Sequence, residues 1–133
     1  MSLSCRTESP GKYRHVLKVG EHTLHADLGV SAGGENSAPG AHDYFDISLA
    51  ACKALTAMRY SKTKGMALEE VEIAMERDDS KESEGVYRLS LQIRFLGKLS
   101  PEEKERLFSV VSRCPVHKLM TSSEVLIEAQ HLP

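Results

Sequence analysis

The run Asp46-Ile47-Ser48-Leu49-Ala50-Ala51-Cys52-Lys53-Ala54-Leu55-Thr56-Ala57-Met58-Arg59-Tyr60 decides how the rest of the chain is read. It holds no glycine or proline, and alanine and leucine are good helix formers. Residues 47–58 are almost entirely apolar or small around the whole helical circumference. A helix of that kind is expected to be buried. The helix is predicted to start near residues 41–43, where Asp43 and Asp46 suit the positive end of its dipole, and to run through Lys64 to a terminating Gly65.

Before this helix, residues 13–19 and 22–28 alternate in polarity across Gly20-Glu21 and predict a β-hairpin. Residues 1–12 are polar, with Pro10-Gly11 as a turn signal, and predict no element. Residues 29–40, with Gly33-Gly34-Glu35 among many breakers, predict a loop. After the helix, residues 71–78 and 86–96 alternate and predict a second antiparallel hairpin around a charged turn. Ser100-Pro101-Glu102-Glu103 is a capping box with proline at the first helical position. That second helix turns Leu107, Val110 and Val111 inward and ends near Arg113. A short turn or helix is expected after Pro115, and residues 124–129 predict a last strand. The order ββ-α-ββ-α-β defines an α+β fold, expected as one domain over residues 1–133.

With 133 residues, 41% hydrophobic and 27% charged, the chain can bury one true core. A net charge of −2 offers no basic surface for a phosphate backbone, which argues against nucleic acid as a partner. No apolar stretch is long enough for a membrane span, and Met1 to Arg6 lacks the apolar run of a secretory signal. A cytoplasmic location is the expectation. The cysteine count of three is odd, which argues against a secreted disulfide framework.

Cys52 lies within the long helix, beside Lys53 and on the same face as Arg59. Cys114 opens Cys114-Pro115-Val116-His117-Lys118, where the N–H groups of a following helix would face the sulfur and lower its pKa. If the two thiols meet, they form a redox pair. If they do not, Cys52 is a core residue, since free cysteine is among the most buried residue types. A zinc site using Cys114, His117 and either Cys52 or His42 is a further reading of the same residues. Cys5, in a polar stretch, is expected to be incidental. No cofactor is expected.

Taken in order, several segments resemble the OsmC/Ohr family, in its shorter OsmC-like branch. They are Gly33-Gly34-Glu35, His42 through Cys52, Met58-Arg59-Tyr60 with Lys64-Gly65, and Arg113-Cys114-Pro115-Val116-His117. The resemblance covers residues 13–129. It implies antiparallel sheets wrapped around a buried central helix in an intertwined homodimer, with sites at the subunit interface. It implies a thiol-dependent peroxidase acting on organic or lipid hydroperoxides. Cys52 would be the peroxidatic thiolate, Cys114 the resolving thiol, and a lipoyl-type dithiol the reductant. An arginine and a carboxylate assist the cysteine in this family. Here Arg14 is the arginine candidate, with Arg59 behind it. His42 stands where the family carries glutamate, so Asp43 is the nearest carboxylate, and Ala41 stands where proline is usual. A non-catalytic relative that holds a small apolar ligand at the dimer interface is the alternative reading.

Overall fold

The computed structural model describes residues 1–133. They form two compact units, Met1–Ile47 and Ser48–Pro133, with the boundary inside the longest helix.

In the first unit, strands β1 (Leu3–Thr7), β2 (His15–Val19) and β3 (His22–Ala26) form one antiparallel sheet in that order. Leu17 lies opposite Cys5 on one side and Leu24 on the other. The β2–β3 hairpin was expected, whereas β1 was not. All five residues of β1 are solvent-exposed. Its backbone pairing with β2 forms it, so no burial pattern marks it in the sequence.

Strand β3 stops at Ala26 rather than at Leu28 because Asp27 organises the loop that follows. The buried Asp27 carboxylate accepts the Leu28 N–H at 2.8 Å, the Ser37 N–H at 3.0 Å and the Ser37 hydroxyl at 2.6 Å. Its own N–H donates to the Pro39 carbonyl at 3.2 Å. Gly34 folds against Leu28 so closely that a Cβ there would lie 2.2 Å from the Leu28 carbonyl oxygen. Helix α1 (Ala41–Lys64) begins next, and the Gly40 N–H donates to the Asp43 carboxylate at 2.8 Å. The Tyr44 hydroxyl donates to the His25 carbonyl, which fixes the first turn of α1 to β3.

In the second unit, β4 (Leu68–Asp78) and β5 (Arg88–Gly97) form an antiparallel pair with Val71 opposite Phe95 and Ile73 opposite Ile93. Helix α2 (Pro101–Val111) follows with its capping box formed: the Glu103 N–H bonds the Ser100 hydroxyl at 3.1 Å and the Ser100 N–H bonds the Glu103 carboxylate at 2.9 Å. The core comprises Ala57 from α1, Leu68, Phe95, and Leu107 and Val111 from α2. Leu107 and Val111 are almost wholly removed from water, each contributing about 1.5–3 kcal/mol. Helix α3 (Pro115–Ser122) completes the ordered elements.

One expectation needs correction. Residues 124–129 form no strand. A strand requires a ladder partner, and within this chain none pairs with the segment. Val125, Leu126 and Ile127 are 62%, 80% and 85% exposed. Helix α1 is covered on one side by this single chain. Leu49, Ala50, Lys53 and Ala57 are buried, but Phe45, Ile47 and Leu55 are 51%, 57% and 71% exposed. No helix is long and apolar enough to cross a membrane.

The Asp27 bonds carry a pH signature. The Ser37 hydroxyl and N–H lead in lowering its pKa from 3.8 to about 2. A carboxyl depressed on folding stabilises the fold above its unfolded pKa, and that stabilisation is lost as pH falls through the folded value. The melting temperature of Asp27→Asn is therefore expected to lie below that of the parent at pH 6. The gap should close as pH falls from about 4 to about 2. Scanning calorimetry across that range would reject the assignment if the gap stayed constant.

Candidate active site

Helix α1 places two adjoining side chains, Cys52 and Lys53, toward the α2–α3 junction. Cys52 is half-buried, and its sulfur lies 4.0 Å from the Thr56 hydroxyl one turn later. Lys53 is only 5% exposed. Burying an amine is costly unless it is hydrogen-bonded, and this one has two acceptors. Its Nζ donates to the Val111 carbonyl at 2.7 Å and lies 3.3 Å from Nδ1 of His117. Donation to Nδ1 requires that nitrogen to be unprotonated, which places the ring proton on Nε2.

The junction itself follows from the sequence. After Val111 the chain tightens: the Arg113 N–H bonds the Val110 carbonyl at 3.2 Å and the Cys114 N–H bonds the Val111 carbonyl at 3.3 Å. Pro115 then starts α3, with Cys114 as its N-cap residue in extended conformation. Proline suits the first helical position because its missing N–H would be unpaired there. The Val111 carbonyl, one of the unpaired acceptors at the end of α2, thus receives both the Lys53 amine and the Cys114 N–H. A cation at that end also complements the helix dipole.

Cys114 is 1% exposed. Its thiol pKa is raised above the ordinary value. Burial is the main cause, the backbone N–H of His117 opposes it, and a hydrogen-bonding contact with the Cys52 thiol raises it further. The positive charge of Lys53 acts in the lowering direction. The α3 N–H groups therefore do act on the sulfur as the sequence suggested, but burial outweighs them.

The structure thus sets the Cys52 thiol near enough to bear on the ionisation of Cys114. Arg14 and Asp43 belong to the first unit and have their own partners there. Arg14 bonds the Glu8 carboxylate at 3.1 Å, the Ser37 carbonyl at 3.1 Å and the Ser37 hydroxyl at 2.9 Å. Asp43 is exposed and receives the Gly40 N–H. Arg59 is exposed. No group of three or more histidine, cysteine, aspartate or glutamate side chains is gathered to hold a metal ion, and the His117 Nδ1 faces the Lys53 amine. The sequence reading valued Lys53 only as a neighbour of Cys52. Its burial and its bonds to Val111 and His117 were the missed feature, and a lysine in an otherwise apolar helical run was the signal.

Comparison with known proteins shows the family and the fold. A family model described as OsmC-like protein matches residues 34–129, and the chain belongs to that family. Among solved structures, the organic hydroperoxide resistance protein OsmC of Legionella pneumophila is 20% identical. That match covers 91% of this chain and 88% of that one, with a TM-score of 0.66. An OsmC-like protein of Mycoplasma pneumoniae is 17% identical, with coverage of 91% and 86% and a TM-score of 0.69. The organic hydroperoxide resistance protein OhrB of Bacillus subtilis is 17% identical, with coverage of 91% and 90% and a TM-score of 0.59. No curated protein sequence matches. At these identities the structural likeness establishes the α+β fold.

The three thiols should differ in reactivity. Cys5 is exposed, Cys52 half-buried and Cys114 buried. Peptide-resolved labelling of the reduced protein with iodoacetamide should modify Cys5 first and Cys114 last, the latter only as fast as the site opens locally. Rapid labelling of Cys114 would contradict the burial described.

Proposed function

We propose that the protein is a thiol-dependent peroxidase that reduces organic or lipid hydroperoxides, working in the cytoplasm as a homodimer. The observation that carries this reading is that the Cys52 thiol lies near enough to Cys114 to act on its ionisation, although the two residues are far apart in sequence. Family membership and relatives named for organic hydroperoxide resistance support it. Cys52 is the peroxidatic residue because it is the more accessible of the two. Its thiolate attacks the distal oxygen of ROOH. The O–O bond breaks, the alkoxide takes a proton and leaves as ROH, and Cys52 becomes a sulfenic acid. The Cys114 sulfur then attacks the Cys52 sulfur, the S–O bond breaks, and water leaves with the Cys114 proton. An external dithiol of the lipoyl type reduces the disulfide and becomes a disulfide itself.

Arg14 and Asp43 are the charged groups we assign to assist Cys52 in the assembled dimer. The exposed apolar side chains Phe45, Ile47 and Leu55 on α1, and Val125 to Ile127 in the C-terminal segment, support a second copy as their cover. The alternative of an apolar-ligand carrier has less support. A 400 Å³ cleft in the first unit has the charged Glu8, Lys12, Arg14 and Glu35 beside Tyr13 in its lining, which is not the mainly apolar pocket that this alternative calls for.

Mixing the reduced protein with cumene hydroperoxide should consume Cys52 and Cys114 together within seconds, and hydrogen peroxide should do so far more slowly. Cys52→Ser should abolish peroxide consumption with the oligomer intact. Cys114→Ser should stop after one turnover, with a dimedone-reactive Cys52. Unchanged thiol content after treatment with every peroxide would overturn the reading.

A further inference from the structure

The amine of Lys53 has a place in the site that none of the steps above uses. Its two partners are a carbonyl oxygen and an imidazole nitrogen. Both belong to the segment that carries Cys114: Val111 lies three residues before it and His117 three after. Lys53 in turn adjoins Cys52. One side chain therefore spans from the helix of one thiol to both flanks of the other. The groups that act on the ionisation of Cys114 are Cys52 and Lys53 from α1 and the His117 N–H from α3. Among these side chains Lys53 is the one that carries a positive charge.

We propose that Lys53 is the positioning residue of the thiol pair: its amine holds Cys114 against Cys52 through Val111 and His117 and favours the Cys114 thiolate needed to close the disulfide. The physical reason is the low local dielectric. A buried thiol resists ionisation. A fixed cation inside the same dry pocket is screened far less than one at the surface, so its attraction for a thiolate is correspondingly large. When Cys114 ionises, the resulting anion is balanced by a charge that is already in place and already desolvated, so no side chain has to move inward. The two hydrogen bonds also restrict the junction, which limits the distance over which the two sulfurs wander.

A bland role is also open to Lys53, as a cap for the last carbonyls of α2. That role makes no demand on how Cys114 titrates, so the two are separable. This inference concerns the same thiol pair as the peroxidase reading and rests on that pair as the seat of the chemistry. Its test uses no peroxide, so either idea can fail while the other stands.

Protein labelled with carbon-13 at cysteine Cβ reports each thiol ionisation by chemical shift, without reagent access to the buried sulfur. Resonances are assigned by Cys5→Ser, Cys52→Ser and Cys114→Ser. The midpoint for Cys114 should rise by about one pH unit or more in Lys53→Met, a roughly tenfold or greater loss of thiolate at pH 7. Lys53→Arg, which keeps the charge, should stay near the parent. His117→Ala keeps the cation and removes one tether, so it should shift the midpoint less than Lys53→Met. A Lys53→Met protein that is folded by circular dichroism and titrates at Cys114 as the parent does would overturn the proposal. Should Lys53→Met fail to fold, the decision passes to Lys53→Gln and Lys53→Arg. A pair that titrates alike would overturn the proposal, and a raised midpoint in Lys53→Gln alone would support it.

Discussion

The bond from the Lys53 amine to the Val111 carbonyl, 2.7 Å long, is the constraint on which the thiol site depends. Helix α1 holds one cysteine and the α2–α3 junction holds the other. Apolar packing of Ala57 against Leu107 and Val111 brings these elements into one core, but apolar contacts have little directionality. A buried hydrogen bond does have it. With a charged donor it contributes about 1.5–3 kcal/mol, and leaving either group unpaired costs about as much. The Lys53 bond therefore sets the register of α1 against the junction in a way that the surrounding alanines and leucines do not.

The same pocket shows how competing terms set the chemistry of one sulfur. Cys114 has features that favour a thiolate, namely a helix N–H from His117 and the charge of Lys53. Its burial works the other way and wins. A thiol held protonated and shielded from solvent suits a second-step role, since it is protected from direct oxidation. Cys52 is the more open to solvent of the two. The proposed division of labour between the two cysteines rests on exposure, a property that neither local sequence carries by itself.

The first unit is organised by a different polar centre. Asp27 ends β3 and gathers the loop through Leu28 and Ser37, while Arg14 reaches the same Ser37 from just before β2. The Gly34 approach to Leu28 is compatible only with a residue that lacks a Cβ. Loop and hairpin are therefore one structure, although the loop reads as a string of breakers. Apolar surface left uncovered on α1 and in the C-terminal segment is the counterpart of this compactness, since the chain puts its polar centres indoors and some of its largest apolar side chains outside.

Local signals determined much of the secondary structure. The capping box at Ser100, the alternation that produced β5, the Gly65 stop and the proline at the start of α3 each act within a few residues, so each was legible in the sequence. The site was legible in its sulfur atoms, because the surroundings of Cys52 and Cys114 are unusual for idle cysteines. Other features were decided only by the folded chain. Strand β1 exists because β2 offers a ladder edge, and residues 124–129 form no strand because they pair with none of the open edges of the two sheets. The buried place of Lys53 and the suppressed ionisation of Cys114 depend on which groups surround them in space. Helix starts and turns are set by neighbours along the chain, whereas burial, charge pairing and ladder formation are set by segments that sequence distance does not order.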